Sequence, residues 1–364
     1  MTRSRETGIA IAEVVVVRAL MRMNEPVLSQ ETGFSMDTPT MEHVLATDTS
    51  VYNTMRMQLI SIHYASTNTN LYEIRRPDNA TLPQASPGAH IDVHLPNGVV
   101  RQYSLVTADG DPRAYLIGIK RHRTSRGGSA FVHEKLHVGQ MLDVGGPRNN
   151  FPLNEMARHT VLIAGGIGIT PIWAMAQRLQ KLGRSFELHY ACRERREAAF
   201  IDQIEMLPQA RTYVDHEQGG KRLDIPAIVA RSPEDAHYYC CGPLSMLHAY
   251  ETATAALDCT RVHLEFFKQR IEATHESSFT VELHRTGESF RIPAEKTILE
   301  VLEEAGIAAP HLCRKGICGA CQVQVVAGAP DHRDSVLSEH DKKKGEAMLI
   351  CCSRSKSERL VIDF

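Results

Sequence analysis

HLCRKGICGACQVQV, residues 311–325, sets Cys313, Cys318 and Cys321 in a CxxxxCxxC array, and a further cysteine follows at Cys351. This is the plant-type 2Fe–2S spacing. Three thiolates so close in sequence reach one cluster only if the loop between them wraps tightly, and Gly316, Gly319 and Ala320 put small residues at its turns. Bulk there would keep backbone N–H groups away from the sulfurs. Two alternatives fit less well. A zinc knuckle favours two separated CxxC pairs, and a disulfide pair suits an oxidising compartment. The spacing alone leaves open whether Cys351 or its neighbour Cys352 is the fourth ligand.

Around the loop, FTVELHR and ESFRI alternate as strands joined by a turn at Gly287, and Thr297 with Glu300 forms a capping box opening the helix TILEVLEEAG. QVQVVAG is a strand, SEHDKKKG a solvated surface segment, MLICCSRS an extended strand and LVIDF a last, internal strand. Residues 279–364 therefore predict a β-grasp ferredoxin. Before them KQRIEATHESS is polar and unpatterned, which marks residues 270–278 as a linker.

Residues 153–269 switch to strand and helix alternation. TVLIAGG predicts a buried parallel strand, IGITPIWAMAQRLQKLG the turn and helix after it, FELHYACR and AHYYCCGP further strands. Together they predict a Rossmann-like parallel sheet, whose carboxyl strand ends bind nucleotides. GGIGITP sits at such an end but lacks the GxGxxG fingerprint, because Thr170 stands where the third glycine would be. Cys241-Gly242-Pro243 closes another strand at the same crevice; a buried strand cysteine without function is the plain alternative.

Residues 55–152 read as short alternating strands such as MQLISIHY, HIDVHLP and YLIGIK, which predict a small antiparallel β-barrel. RQYS (residues 101–104) and SRGGS (residues 125–129) combine arginine, hydroxyls and open backbone, a composition suited to an anion; the alternative is a solvated turn. Residues 1–54 form a leader expected to be flexible. Its apolar run, Gly8 to Val17, is interrupted by Glu13 and is far shorter than the roughly 20 residues a bilayer span takes.

The 364 residues suffice for two or three domains. A formal net charge of -2 gives no field favouring nucleic acid or an anionic membrane. Nine cysteines, including the adjacent pairs Cys240/Cys241 and Cys351/Cys352, make a poor disulfide framework and suggest a reducing cytoplasm.

RQYS with SRGGS, GGIGITP with CCGP, and CxxxxCxxC with a late cysteine stand in one order that resembles the phthalate dioxygenase reductase family, the reductase components of Rieske oxygenases, over about residues 57–364. The resemblance implies FMN, NADH and a 2Fe–2S cluster. It implies that Arg101, Gly127, Gly128, Ser129 and Ala130 hold the flavin phosphate, that Gln102, Tyr103, Ser104, Ile119, Lys120 and Arg121 line the flavin with Ser104 near N5, and that Phe267 covers the ring. In the nicotinamide domain it implies Gly165, Gly166, Gly168 and Thr170 near the pyrophosphate and nicotinamide, Arg193 on the adenosine side, and Cys241 with Gly242 and Pro243 at the reacting carbon. It implies Cys313, Cys318, Cys321 and Cys351 as iron ligands. Ser104, Thr170 and Cys241 are the expected catalytic set. Glu194 suits a ribose diol and NADH, whereas Arg195 and Arg196 could accept a 2′-phosphate. The implied acceptor is a Rieske oxygenase. A cytochrome P450 or another acceptor is the alternative, and a redox-sensing iron–sulfur flavoprotein a more distant one. His311 and His332 are expected to be surface polar residues.

Overall fold

A computed structural model describes residues 54–107, 110–122, 125, 127–217, 219–220, 222–267 and 277–364. Residues 1–53 of the expected leader and 268–276 of the expected linker lie outside them.

Six antiparallel strands come first: β1 (Thr54–Ser66), β2 (Thr69–Arg75), β3 (His90–His94), β4 (Val100–Ser104), β5 (Ala114–Lys120) and β6 (Met141–Arg148). They pair in the order β4-β3-β6-β1-β2-β5, and a bridge between Leu105 and Ile117 joins the two edges into a barrel. The alternation of β1 and β3 puts Met57, Leu59, Ile91 and Val93 inside. One helix, α1 (Ser129–Lys135), follows β5.

The next sheet is wholly parallel. β7 (Thr160–Gly165), β8 (Phe186–Cys192), β9 (Ala210–Val214), β10 (His237–Cys241) and β11 (Val262–Glu265) stand in the order β11-β10-β7-β8-β9. β7 reads as a continuous apolar run because both its faces are covered. Leu162 and Ala164 pack with α2 (Ile169–Lys181) and with Ile201 and Ile204 of α3 (Ile201–Glu205). Val161 and Ile163 pack with α4 (Ile225–Arg231) and α5 (Leu244–Thr254). The direction of winding reverses between β7 and β10, and this switch point is where such sheets open a crevice.

The last unit orders its strands β13-β12-β18-β14-β16, from β12 (Phe279–Leu283), β13 (Ser289–Ile292), β14 (Gln322–Ala327), β16 (Ala347–Leu349) and β18 (Arg359–Asp363). β18 is central, as LVIDF suggests. A two-residue ladder pairs β15 (Pro330–Asp331) with β17 (Arg354–Ser355). The capping box is present in α6 (Ile298–Glu304): Thr297 Oγ1 accepts from Glu300 N at 3.2 Å, and Glu300 accepts from Thr297 N at 2.8 Å.

Two expectations need correction. MLICCSRS is not one extended strand, since β16 ends at Leu349 and residues 350–352 turn. SEHDKKKG is solvated as expected, and within it lies a short helix, α7 (Glu339–Lys344), capped by Ser338 and without a buried residue. His332 is not a surface residue: its side chain is only 7 % exposed, beside the fully buried Asp334.

Candidate electron-transfer site

The cysteine loop hangs between α6 and β14. Its sulfurs couple in two pairs, Cys313 with Cys318 and Cys321 with Cys351 of the turn after β16. Among the described residues no three such side chains converge on a point for a single ion. Two pairs suit a two-iron cluster, in which each iron takes two thiolates. The backbone is turned toward them. Lys315 N–H donates to Cys313 Sγ at 3.3 Å, and Gly316 N–H to Cys351 Sγ at 3.2 Å. Gly316 has φ +66°, and a Cβ there would lie 2.5 Å from Cys352 Sγ, so only glycine fits. Arg314 also adopts a positive φ, 56°, a costly conformation for a non-glycine residue. Its guanidinium is tied to Glu303 at 2.9 Å and to His311 Nε2 at 3.0 Å.

The turn at residues 350–352 keeps both adjacent cysteines near the loop, yet their chemistry differs. Interactions with Cys321 and then Cys352, with the Gly316 N–H bond, lower the Cys351 thiol. The interaction with Cys351, with burial, pushes Cys352 up. Of the two, Cys351 is the sulfur that accepts from the loop's backbone, from Gly316 N–H, whereas Cys352 Sγ turns to the Leu349 carbonyl at 3.8 Å.

At the switch point the loops after β7 and β10 pack backbone to backbone. A Cβ on Gly168 would lie 2.2 Å from the Cys241 carbonyl oxygen, one on Gly165 2.6 Å from Pro243 Cδ, and one on Gly242 2.7 Å from Met246 Sδ. The fold therefore requires Gly165 and Gly168 irrespective of any nucleotide, whereas the Met246 side chain can yield at Gly242. Gly166 differs, with φ +54° and nothing within 4 Å of its Cβ position. Thr170 is buried, and its hydroxyl donates to the Ile167 carbonyl at 3.0 Å. A Cβ on Gly118 of β5 would meet its methyl at 2.8 Å, so the barrel and the parallel sheet touch here.

Cys241 is buried, and burial followed by the nearby Glu265 carboxyl raises its thiol far above the usual range. Its Sγ is 4.0 Å from Glu265 Oε2, its ladder neighbour on β11. Glu265 keeps some surface as a residue, but burial of its carboxyl pushes the pKa up to about 8. The sequence reading passed over this residue. Its signal was a lone acid ending the apolar strand of LEFF. After it, Phe266 is buried and Phe267 is 39 % exposed.

On the barrel, Arg101 and the glycine turn come together: a Cβ on Gly128 would lie 2.6 Å from Arg101 Nε. Gly127 has φ +81°; Arg126 is outside the described residues. Ser129 Oγ accepts from His122 N at 3.1 Å, and Ala130 N donates to Ser125 Oγ at 3.1 Å. Gln102 donates to Asp92 at 2.7 Å, and Asp92 pairs with Arg148 at 2.7 Å. Tyr103 has its hydroxyl pKa raised by burial; Ser104 is buried, with His90 as its cross-strand partner. The Ile119 carbonyl is occupied by His133 Nε2 at 2.8 Å, and Arg121 pairs with Glu134. Lys120 leaves the barrel for Glu197, 2.8 Å away, in the loop after β8. That loop holds Arg193, exposed, then Arg196 paired with Glu194, and Arg195 between Glu205 and Glu217.

A closed barrel, a parallel sheet with a glycine-lined switch point and a loop of paired cysteines define an oxidoreductase that moves electrons from a pyridine nucleotide to iron–sulfur. The profile described as an oxidoreductase NAD-binding domain matches residues 162–252, and that of a 2Fe-2S iron-sulfur cluster binding domain residues 281–356. The chain is 45% identical to phenoxybenzoate dioxygenase subunit beta of Ectopseudomonas oleovorans over 84% of its own length and 96% of that protein's. It is similar to the structure of phthalate dioxygenase reductase, "a modular structure for electron transfer from pyridine nucleotides to [2Fe-2S]", with 36% identity, 85% and 98% of the two chains covered, and a TM-score of 0.63. An intact type IV self-sufficient cytochrome P450 monooxygenase matches at 37% identity and a TM-score of 0.79, covering 85% of this chain but 41% of its own. The chain belongs to the phthalate dioxygenase reductase family.

Proposed function

We propose that the protein takes a hydride from NADH onto FMN and delivers single electrons through a 2Fe–2S cluster to a Rieske oxygenase acting on an aromatic substrate. The carrying observation is contiguity. Thr170 of the nucleotide sheet packs on Gly118 of the barrel, and the barrel's Asn150, just after β6, donates from Nδ2 to the carbonyl of Cys318 in the cysteine loop at 3.2 Å. Hydride carries two electrons and the cluster accepts one, and a flavin between them divides the pair.

The chain's own residues then position and shield. Arg101 and the amides of Gly127, Gly128, Ser129 and Ala130 would hold one terminal phosphate, which favours FMN because nothing else is needed for an adenine. Tyr103 and Phe267 would cover the ring, with Gln102, Ser104, Ile119, Lys120 and Arg121 around it. Residues 165–168 and Thr170 would receive pyrophosphate and nicotinamide, and Arg193 the adenosine. Cys241, with Gly242 and Pro243, would stand at the reacting carbon, and Glu265 beside it. Cys313, Cys318, Cys321 and Cys351 would bind iron. The nine cysteines are all free, which suits a cytoplasmic setting, and no helix among the described residues is long and apolar enough to cross a membrane.

A second reading, delivery to a cytochrome P450, is favoured by the similarity to the self-sufficient P450 monooxygenase chain. The test is flavin extraction, anaerobic NADH titration followed by visible and EPR spectra, and reconstitution with purified Rieske oxygenases and P450s. FMN, a bleached flavin and a reduced-cluster EPR signal are expected, with product formed by a Rieske oxygenase. Stoichiometric FAD or turnover with P450 alone would overturn the corresponding part.

A further inference from the structure

The loop after β8, Cys192-Arg193-Glu194-Arg195-Arg196-Glu197, presents three arginines where a doubly wound sheet meets the adenosine ribose. Arginine at that place ordinarily accepts the 2′-phosphate of NADPH. Here the guanidinium of Arg195 is occupied on both sides. Nη1 donates to both carboxylate oxygens of Glu205 at 2.9 Å, Nε to Glu217 Oε1 at 2.9 Å, and Nη2 to Glu217 Oε2 at 3.2 Å. Glu205, the last residue of α3, is itself fixed by the Thr212 hydroxyl of β9 at 2.9 Å. Glu217 lies in the turn just after β9. Arg196 is paired with Glu194.

We propose that Glu205 and Glu217 withhold Arg195 from the nucleotide, and that this clamp is a specificity determinant for NADH over NADPH. The inference rests on the nucleotide-binding reading above. A 2′-phosphate approaching Arg195 would have to displace two carboxylates whose bidentate geometry already uses the guanidinium fork, and it would meet their charge while doing so. Glu194 alone could be turned aside, because it holds a different arginine. The acids recruited from α3 and from the turn after β9 make the exclusion a property of two neighbouring elements, which the order of residues 193–197 does not reveal. All three partners keep appreciable exposure: 44 % for Arg195, 37 % for Glu205 and 49 % for Glu217. Exposed pairs contribute little to stability, so the clamp can be opened without unfolding the domain.

The test uses the purified holoprotein and isothermal calorimetry with 5′-AMP and 2′,5′-ADP, alongside kcat/KM for NADH and NADPH. Wild type should bind 2′,5′-ADP more weakly than 5′-AMP. Glu205→Gln with Glu217→Gln should tighten 2′,5′-ADP by about tenfold or more, the gain expected of a charge-assisted pairing, and raise kcat/KM for NADPH in parallel. Adding Arg195→Ala to that double variant should abolish the gain. Unaltered flavin and iron–sulfur absorption serves as the folding control. A double variant that binds 5′-AMP but gains nothing for 2′,5′-ADP overturns the clamp, as does a gain that survives loss of Arg195. Failure of wild type to bind 5′-AMP or NADH at all would instead overturn the nucleotide-binding reading beneath it.

Discussion

Cys241 and Glu265, side by side at the ends of β10 and β11, are both neutral near pH 7, one because its thiol is raised and the other because its carboxyl titrates near 8. The sign of the pH effect follows. Below the ordinary glutamate value of about 4.5 the acid is protonated folded or unfolded, and there is no difference. From about 4.5 to about 8 the unfolded chain ionises while the native carboxyl stays protonated, so stability falls as pH rises through this window and levels above it. Thermal denaturation of wild type compared with Glu265→Gln should show that relative decline between pH 4.5 and 8; parallel curves would mean that the carboxyl is not desolvated. This residue was hard to find in the sequence because its character depends on burial of its carboxyl by the fold. The glycines of GGIGITP were easy to find but ambiguous. Gly165 and Gly168 are demanded by the packing of two strand ends, a requirement that a motif cannot separate from contact with pyrophosphate. His332 was misjudged because PDHRDS is polar throughout, which hides a side chain folded inward.

Elements with strong local signals were legible: the two-sided apolar β7, the capping box of α6, which contributes about 1 kcal/mol, and the central LVIDF strand. The failure at MLICCSRS has a physical cause. Its apolar and β-prone residues suit a strand, but β16 ends at Leu349 and a turn carries the next three residues under the cysteine loop. An alternation of faces therefore does not distinguish Cys351 from Cys352; the Gly316 N–H, which donates to Cys351 Sγ, does. Cys351→Ser is expected to lose or strongly alter the iron–sulfur absorption and EPR signal and to abolish cytochrome c reduction, while NADH still bleaches the flavin. Cys352→Ala should retain all of these, since its sulfur is turned to the Leu349 carbonyl, to Ser353 Oγ and to the backbone at Gly316. The reverse pattern would assign the ligand to Cys352.

Across the molecule, the three modules and their order could be read from sequence, but not the contacts that join them. Asn150 and Cys318 are 168 positions apart, and an asparagine after GPR carries no local sign of a partner in another domain. Lys120 reaching Glu197, and Thr67 N donating to the Arg196 carbonyl at 2.8 Å, are equally silent. Asn150→Ala should leave NADH reduction of the flavin intact and slow electron arrival at the cluster by roughly tenfold to a hundredfold, as a small misplacement of reacting groups does. Stopped-flow absorbance resolves the two phases, and equal cluster rates in variant and wild type would remove Asn150 from that role. The placing of β18 between β12 and β14 has a consequence for biosynthesis. All the cysteines of the loop and the turn leave the ribosome before residues 359–363, yet the sheet from which the loop hangs lacks its middle until those residues arrive. Iron delivered before those residues emerge would meet an unfinished cradle, so the cluster is expected to be loaded only once β18 has entered the sheet.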